Sequence, residues 1–210
     1  ENAAPWVRAI SEGSIESRRL VTNHAIVKAI VQLQPAKVWD IGCGEGWLCR
    51  ALKQKGIETI GTDAIPALVD AARQQDGGRY ELLAYEQIDT EVASQWQADC
   101  FVFNFSLFGH DEVNRLLTNL AKALPPGGHI IIQTLHPYAA LGEGPYTSGW
   151  RQGSWDGFSP DFVNPAPWYY RTLGDWMELL KHCGLQLSGM QEPLHPASGK
   201  PVSLVIVAGS

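Results

Sequence analysis

The feature that most constrains the fold of this chain is a regular alternation of short apolar runs with helical segments. Five runs have the length and the β-branched or aromatic content of buried strands, and a helical pattern separates each from the next. The predicted strands cover residues 37–41, 58–63, 79–84, 99–104 and 129–134. Strands that alternate with helices form a parallel sheet with helices on both faces. The pattern therefore predicts an α/β fold of the doubly wound, Rossmann-like type.

The C-terminal part of the chain departs from this alternation. Thr172 begins a predicted helix that ends near Gly184, and two further strands follow at residues 185–192 and 202–208. The loop between these strands has about nine residues, too few for a parallel crossover, which needs a dozen or more. We therefore expect a seven-stranded sheet, mostly parallel, that ends in an antiparallel hairpin.

Composition limits the classes of protein to consider. The 210 residues, 45% of them hydrophobic, predict a single domain over 1–210, with an N-terminal helical cap at 1–35. A net charge of −6 and a pI of about 5.5 disfavour a nucleic-acid partner. No apolar run approaches the ~18 residues that span a bilayer, and none resembles a signal peptide, although Glu1 in place of a Met suggests trimming or a missing start. Four scattered cysteines predict reduced thiols, a cytoplasmic location and no metal site.

A glycine-rich loop follows the first predicted strand. Gly42, Gly44 and Gly46 fall within the sequence DIGCGEGW, and glycine permits positive φ and a close approach of ligand to backbone. Ligands of open α/β sheets bind beyond the carboxyl ends of the strands. A dinucleotide loop carries a small residue at the third position of G-x-G-x-x-G, where this chain has Trp47. The loop therefore indicates a cofactor site and disfavours a dinucleotide.

The motif DIGCGEG resembles the first motif of the class I S-adenosylmethionine (SAM) methyltransferases, and the resemblance covers most of the chain. GTDAIPALVDAAR is similar to the second motif of that family, and LPPGGHIII to the segment that leads into its fifth strand. YYRTLGDWMELLKHCGL, followed by Glu192 and Pro193, is similar to the small-molecule branch that includes quinone-biosynthesis enzymes. NFSLF differs from the Asn-Pro-Pro-aromatic motif of enzymes that methylate nucleic acids or protein amides. The resemblance implies SAM as methyl donor, S-adenosylhomocysteine as product and a small metabolite as acceptor.

Charged side chains near the loop have the chemistry to hold such a cofactor. Asp63 would accept hydrogen bonds from both ribose hydroxyls, unless it only caps a turn. Asp40 would orient the methionine ammonium, or else brace the loop. Arg18 or Arg19 would clamp the cofactor carboxylate, or stay solvated. The resemblance adds a set of residues around the loop, the adenine and the methyl-transfer point: Gly42, Cys43, Gly44, Gly46, Ala64, Tyr85, Glu86 and Asn104.

Methyl transfer from a sulfonium is an in-line displacement, which requires alignment and exclusion of water. His136 follows the fifth strand and is the candidate general base and substrate contact, or a hydrogen-bonded loop histidine. Residues 137–171 lack periodicity and are rich in aromatic side chains, which predicts a lid over an apolar or aromatic substrate. The lid residues expected at the substrate are Tyr146, Trp150, Trp155, Trp168, Tyr169 and Arg171. The same rings could instead form a satellite core or a homodimer contact.

Three functions therefore stay open at the level of sequence. The first is a SAM-dependent methyltransferase that acts on a small, apolar or aromatic metabolite. The second is an NAD-binding oxidoreductase, against which Trp47 and the terminal hairpin argue. The third is a module that binds SAM without catalysis.

Overall fold

The computed structural model describes residues 1–75 and 77–209, in which the strands form a seven-stranded sheet and a separate two-stranded sheet. The strands are β1 (Lys37–Ile41), β2 (Glu58–Asp63), β3 (Arg79–Leu82), β4 (Cys100–Asn104), β5 (His129–Leu135), β6 (Gly149–Arg151), β7 (Trp168–Tyr170), β8 (Gln186–Gln191) and β9 (Ser203–Gly209). The α-helices are α1 (Ala3–Ser11), α2 (Asn23–Leu33), α3 (Trp47–Lys53), α4 (Pro66–Gln74), α5 (Thr90–Gln95), α6 (Asp111–Ala123) and α7 (Leu173–His182).

The large sheet has the predicted topology. Its strand order is β3-β2-β1-β4-β5-β9-β8, with β1 to β5 parallel. β9 runs antiparallel to both β5 and β8. The strand order reverses between β1 and β4, and ligands of doubly wound sheets bind at such a switch point. The fold prediction is confirmed, including the C-terminal hairpin.

Helices cover both faces of the sheet, and alternate residues of each central strand pack into different layers. Trp39 of β1 and Phe101 of β4 pack into the layer that contains α6 and α7. Their neighbours Val38 and Val102 pack into the layer that contains α2 and α3. β1 and β4 are buried on both faces along most of their length, and seven of their ten residues are apolar, as expected of central strands in a parallel sheet. Their carboxyl ends lie at the switch point.

The N-terminal region, predicted as a helical cap, contains the helices α1 and α2 and a π-helical turn. The π-helical turn at Arg18–Thr22 follows α1 and leads directly into α2. A π-turn adds a residue to the helical repeat, and such turns are frequent at functional sites. Here the turn includes Arg18, which is buried although the neighbouring Arg19 is exposed.

The aromatic-rich segment 137–171 is not wholly irregular, because β6 and β7 pair within it, with Trp150 opposite Tyr169. A loop between these strands meets α1 in a contact that we call the roof clasp. The side chain of Asn2 donates to Val163 O at 2.7 Å and accepts from Val163 N at 2.9 Å. Arg8 forms an ion pair with Asp161 at 3.1 Å. The two ends of this clasp are 161 residues apart in sequence.

Across residues 1–75 and 77–209, the structure contains no helix with the length and apolar character to cross a membrane.

Candidate functional site

The loop between β1 and α3 has a backbone that only glycine can form without strain. Gly42, Gly44 and Gly46 have φ values of +82°, +58° and +81°. A Cβ atom on Gly42 would lie 2.4 Å from the Cβ atom of Ser106, and one on Gly46 would lie 2.6 Å from Tyr80 Oη. The loop therefore exposes bare backbone at the carboxyl end of β1, as the sequence predicted.

Asp63 joins this loop to the end of β2. Its carboxylate accepts hydrogen bonds from Gly44 N and Ile65 N, each at 2.9 Å. Burial raises the pKa of Asp63, and the hydrogen bonds from the backbone oppose that rise. A carboxylate has about four lone-pair positions, so two of them stay available for a ligand. Bracing of the loop and binding of a ribose are thus compatible roles for one side chain.

Asp40 is almost fully buried behind the loop. Its Oδ2 lies 3.8 Å from Cys49 Sγ, which donates to it, and its Oδ1 has no hydrogen-bond partner among the described residues. Burial, assisted by the nearby charge of Asp63, raises the pKa of Asp40 to about 7. A buried carboxylate oxygen without a donor is costly to the fold, which points to a donor supplied by a ligand.

Arg18 is a buried cation close enough to Asp40 for their charges to interact. Its guanidinium carbon lies 5.7 Å from the centre of the Trp6 ring and 5.0 Å from that of Trp47. Its Nε donates to Asn23 at 3.4 Å, whereas its buried Nη2 has no partner in the described part of the chain. Burial lowers the pKa of Arg18 to about 10, which leaves it charged at neutral pH.

These groups face a cavity of about 560 Å³, which we call the polar chamber. All the residues expected at the cofactor line it except Gly46, whose role is to shape the loop. The members from the prediction are Arg18, Asp40, Gly42, Cys43, Gly44, Asp63, Ala64, Tyr85, Glu86 and Asn104. The structure thus brings together residues from the N-terminal region and from the ends of β1, β2, β3 and β4.

The segment after β4 forms the floor between this cavity and a second one. Tyr85 Oη donates to Ser106 O at 3.0 Å, and Ser106 Oγ donates to Ile41 O at 2.8 Å. Asn104 Oδ1 accepts from Gln133 Nε2 at 2.7 Å. Phe105 has a φ of +55°, which is uncommon for a residue other than glycine, and its N–H bonds Gln133 O at 2.8 Å. Phe105 directly follows Asn104, the residue expected at the methyl-transfer point. Strained backbone conformations are frequent at functional sites.

The second cavity, of about 350 Å³, is the aromatic chamber. It shares Trp6, Arg18, Phe105 and Trp155 with the polar chamber, so the two cavities adjoin. The remaining rings on its walls are Phe108, Phe158 and Trp168. Adjoining cavities of contrasting polarity can hold two different ligands with their reactive atoms close together.

The predicted substrate residues divide into two groups. Trp155 and Trp168 line the aromatic chamber, whereas Tyr146, Trp150, Tyr169 and Arg171 line neither chamber. Arg171 is buried and donates to the backbone of Gly109 at 2.7 Å, so it holds the start of α6 in place.

The other three of these side chains have contacts of their own. Tyr146 Oη accepts from Leu173 N at 3.1 Å. The exposed Trp150 packs its ring against Tyr169. These positions thus have contacts within the fold and do not line either chamber.

His136 also lies away from both chambers. Its Nδ1 accepts from Tyr138 N at 3.1 Å, and its Nε2 lies 2.8 Å from Glu192 Oε1. With one ring nitrogen bonded to the backbone and the other to a carboxylate, the ring matches the hydrogen-bonded loop histidine of the sequence alternatives. The hypothesis of a general base at His136 finds no geometric support.

Sequence reasoning missed several residues of the site. Trp6 lines both chambers from α1, which lies within the predicted N-terminal helical cap, but nothing in the sequence indicated that this ring belongs to the site. Phe105 and Ser106 form the floor, and their role depends on a backbone conformation that has no sequence signal. Glu45 is buried beside the loop, where its backbone carbonyl accepts from Arg50 Nη1 at 2.6 Å and its carboxylate pairs with the same guanidinium. Its position inside the motif DIGCGEG was a usable signal.

Comparison with known proteins agrees with this geometry. A family model described as a methyltransferase domain matches residues 17–187. The chain belongs to this methyltransferase family. The sequence prediction of a class I methyltransferase enzyme is confirmed.

Individual relatives match at lower identity. A ubiquinone biosynthesis O-methyltransferase of Sinorhizobium medicae is 27% identical over 106 residues, which are 50% of this chain and 43% of the relative. The chain thus aligns with less than half the length of that relative.

Solved structures match over most of both chains. A SAM-dependent methyltransferase of Mesorhizobium loti aligns with a TM-score of 0.65 and 20% identity, over 88% of this chain and 95% of that one. A 1,6-didemethyltoxoflavin-N1-methyltransferase of Burkholderia thailandensis, solved with its substrate and S-adenosylhomocysteine, gives 0.65 and 18%, over 98% and 85%. The methyl donor in the name of the first structure is the one predicted from the sequence of this methyltransferase.

No group of three or more His, Cys, Asp or Glu side chains among residues 1–75 and 77–209 of this methyltransferase is placed to hold a metal ion.

Proposed function

We propose that this methyltransferase uses SAM as methyl donor and transfers its methyl group to a small, apolar or aromatic metabolite. The observation that carries the proposal is the pair of adjoining chambers. One is polar and offers an unpartnered carboxylate oxygen and an unpartnered guanidinium nitrogen. The other is walled by aromatic rings. Such a pair suits a charged, nucleoside-containing donor beside a flat acceptor with an apolar ring.

The residues of the polar chamber fit the chemical groups of SAM. Asp40 Oδ1 is an acceptor without a donor and suits the ammonium of the methionine tail. Arg18 Nη2 is a donor without an acceptor and suits the carboxylate of the same tail. The free lone pairs of Asp63 suit the ribose hydroxyls, and Tyr85 offers a ring face near the end of β3 for the adenine. A volume of about 560 Å³ lies within the ~300–1,000 Å³ of small-molecule sites.

The protein aligns the donor with the acceptor and limits the access of water to them. When bound, the sulfonium supplies an electrophilic methyl group with a good leaving thioether. Phe105 and Trp155 border both chambers and fix the direction in which an acceptor meets that methyl group. The roof clasp joins α1 to the loop at 155–164, and these segments contribute Trp6 and Trp155 to both chambers, so we expect the contact to limit the entry of water during the displacement.

Calorimetry with SAM and with NAD tests the donor. We expect SAM to bind and NAD to produce no saturable heat, since Trp47 stands where a dinucleotide loop needs a small residue. Binding of NAD in preference to SAM would return the oxidoreductase to first place.

Incubation with radiolabelled SAM and fractionated metabolites tests catalysis. We expect label in a small, organic-soluble product. Tight SAM binding without transfer to any fraction would favour the third function, a binding module.

A further inference from the structure

The walls of the aromatic chamber carry almost no ionisable chemistry. Among the described residues that line it, we find no Asp, Glu, His, Lys, Cys or Tyr, and the charged one is Arg18. Six rings form much of the surface: Trp6, Phe105, Phe108, Trp155, Phe158 and Trp168. A guanidinium stays protonated at neutral pH and cannot accept a proton from a substrate. The chamber therefore offers no general base to an acceptor held within it.

The ionisable groups that line only the polar chamber cannot serve as a base in the aromatic one, and several of them are already bonded to other residues. Asp63 is bonded to two backbone N–H groups, Glu45 pairs with Arg50, and Tyr85 donates to Ser106 O. Four carboxyl groups also line the polar chamber but not the aromatic one: Glu1, Asp40, Glu86 and Glu112. None of these groups lines the aromatic chamber, in which we place the acceptor.

We propose that the acceptor is a flat aromatic compound whose nucleophilic oxygen has already lost its proton in water at neutral pH, as in an acidic phenol, an enol or a carboxylate. This proposal rests on the proposed function and narrows its substrate class. No Asp or Glu side chain lines the aromatic chamber in the described part of the chain, so no negative charge on its walls would repel such an anion. Flat rings suit walls made of flat rings.

The chemical step balances without a base from the protein. The lone pair of the acceptor oxygen forms the new bond to the methyl carbon, and the electron pair of the sulfur–carbon bond leaves with the thioether sulfur. The acceptor gave its proton to solvent before it bound. The negative charge of the oxygen and the positive charge of the sulfonium are both neutralised in this step.

The test compares three phenols of decreasing acidity, namely 4-nitrophenol, 4-hydroxybenzaldehyde and 4-methylphenol, with radiolabelled SAM. At pH 7.5 we expect 4-nitrophenol to react at least tenfold faster than 4-methylphenol in kcat/KM. As pH rises, each acceptor should reach its plateau near its own pKa. SAM is kept saturating at every pH, so that changes in donor affinity do not enter the profile; one inflection shared by all three acceptors would then show a base on the protein and overturn the proposal.

Two variants separate the possible outcomes. Ala166→Phe places a ring in the aromatic chamber, and we expect transfer to fall at least tenfold with SAM affinity unchanged. Ala197→Phe, in an exposed loop that lines neither chamber, is the matched control. In Glu112→Gln, the pH profile of methyl transfer should still depend on the acceptor. Loss of that dependence in the variant would identify Glu112 as a base.

Calorimetry with SAM distinguishes this proposal from the function on which it rests. If SAM binds but none of the three phenols is methylated, the acceptor class is wrong and the donor site stands. If SAM does not bind, the proposed function itself fails.

Discussion

The two chambers share a border but are built in opposite ways. The polar chamber collects residues that directly follow β1, β2, β3 and β4, where a parallel sheet places the ends of its strands together. The aromatic chamber collects α1, the π-helical turn, the floor after β4 and the loop at 153–168. Sheet topology assembles most of the first chamber, to which the N-terminal region adds Trp6 and Arg18, whereas the second depends mainly on how peripheral segments pack. We therefore expect changes in the first to affect donor binding and changes in the second to affect the acceptor alone.

The largest effect should come from Asp63→Ala. The change removes the anchor of Gly44 N and the acceptor proposed for the ribose, so we expect SAM affinity to fall by about 100-fold or more, since each charge-assisted bond contributes roughly 1.5–3 kcal/mol. Calorimetry measures the affinity. Asp70→Ala, an exposed carboxylate on α4, is the control and should bind SAM normally. Unchanged affinity in Asp63→Ala would break the assignment of the polar chamber.

A second prediction concerns the glycine loop. Gly42→Ala combines a positive φ with a Cβ atom 2.4 Å from that of Ser106, and we expect a loss of about 2–4 kcal/mol in the free energy of unfolding. Gly56→Ala is matched in φ, at +79°, but its Cβ atom meets nothing within 4 Å. That variant should lose only about 1–2 kcal/mol. Equal losses in urea denaturation would mean that close packing against Ser106 is unimportant.

The third prediction tests the independence of the aromatic chamber. Trp168→Ala removes one wall of that chamber and no part of the polar one. We expect kcat/KM for the acceptor to fall about tenfold, because a buried ring of this size contributes roughly 1–3 kcal/mol to a ligand. The dissociation constant of SAM should stay within about twofold. A parallel loss of SAM affinity would show that the chambers are coupled.

The smallest effect should be the pH dependence of donor binding. Asp40 has a pKa of about 7 in the fold, above the 3.8 of an ordinary carboxyl group, and only its charged form suits the methionine ammonium. We expect SAM affinity to fall by about twofold between pH 8 and pH 7 and further below pH 7. Calorimetry across this range measures the change, and a flat profile would exclude Asp40 from the tail site.

The same group should affect stability in the opposite direction. Between pH 4 and pH 7 the folded chain holds the Asp40 proton that the unfolded chain has lost, so this group lowers the free energy of unfolding as pH rises. Asp40→Asn should therefore raise the Tm at pH 8 by roughly 2–4 °C while it weakens SAM binding. A lower Tm in this variant would mean that the buried charge is compensated by contacts of its own.

Sequence reasoning succeeded where a local pattern of residues has one structural explanation. The positive φ of Gly42, Gly44 and Gly46, and the buried character of β1 and β4, are properties of the local sequence, and the fold follows from them. The contribution of Trp6 was not predictable in this way, since it depends on where α1 lies against residues more than 150 positions away. The same holds for the lid. Trp155 and Trp150 have similar neighbours in sequence, but Trp155 lines the two chambers and Trp150 lines neither.

The roof clasp has a consequence for turnover. Asn2, near the N-terminus, and Val163, in the aromatic-rich loop, join two segments that each contribute an aromatic ring to both chambers. A molecule that leaves either chamber by separating these two segments also exposes the other chamber to solvent. We therefore expect the two products to depart in the same opening event, so that the pace of the catalytic cycle depends on a pair of hydrogen bonds distant from the transferred methyl group.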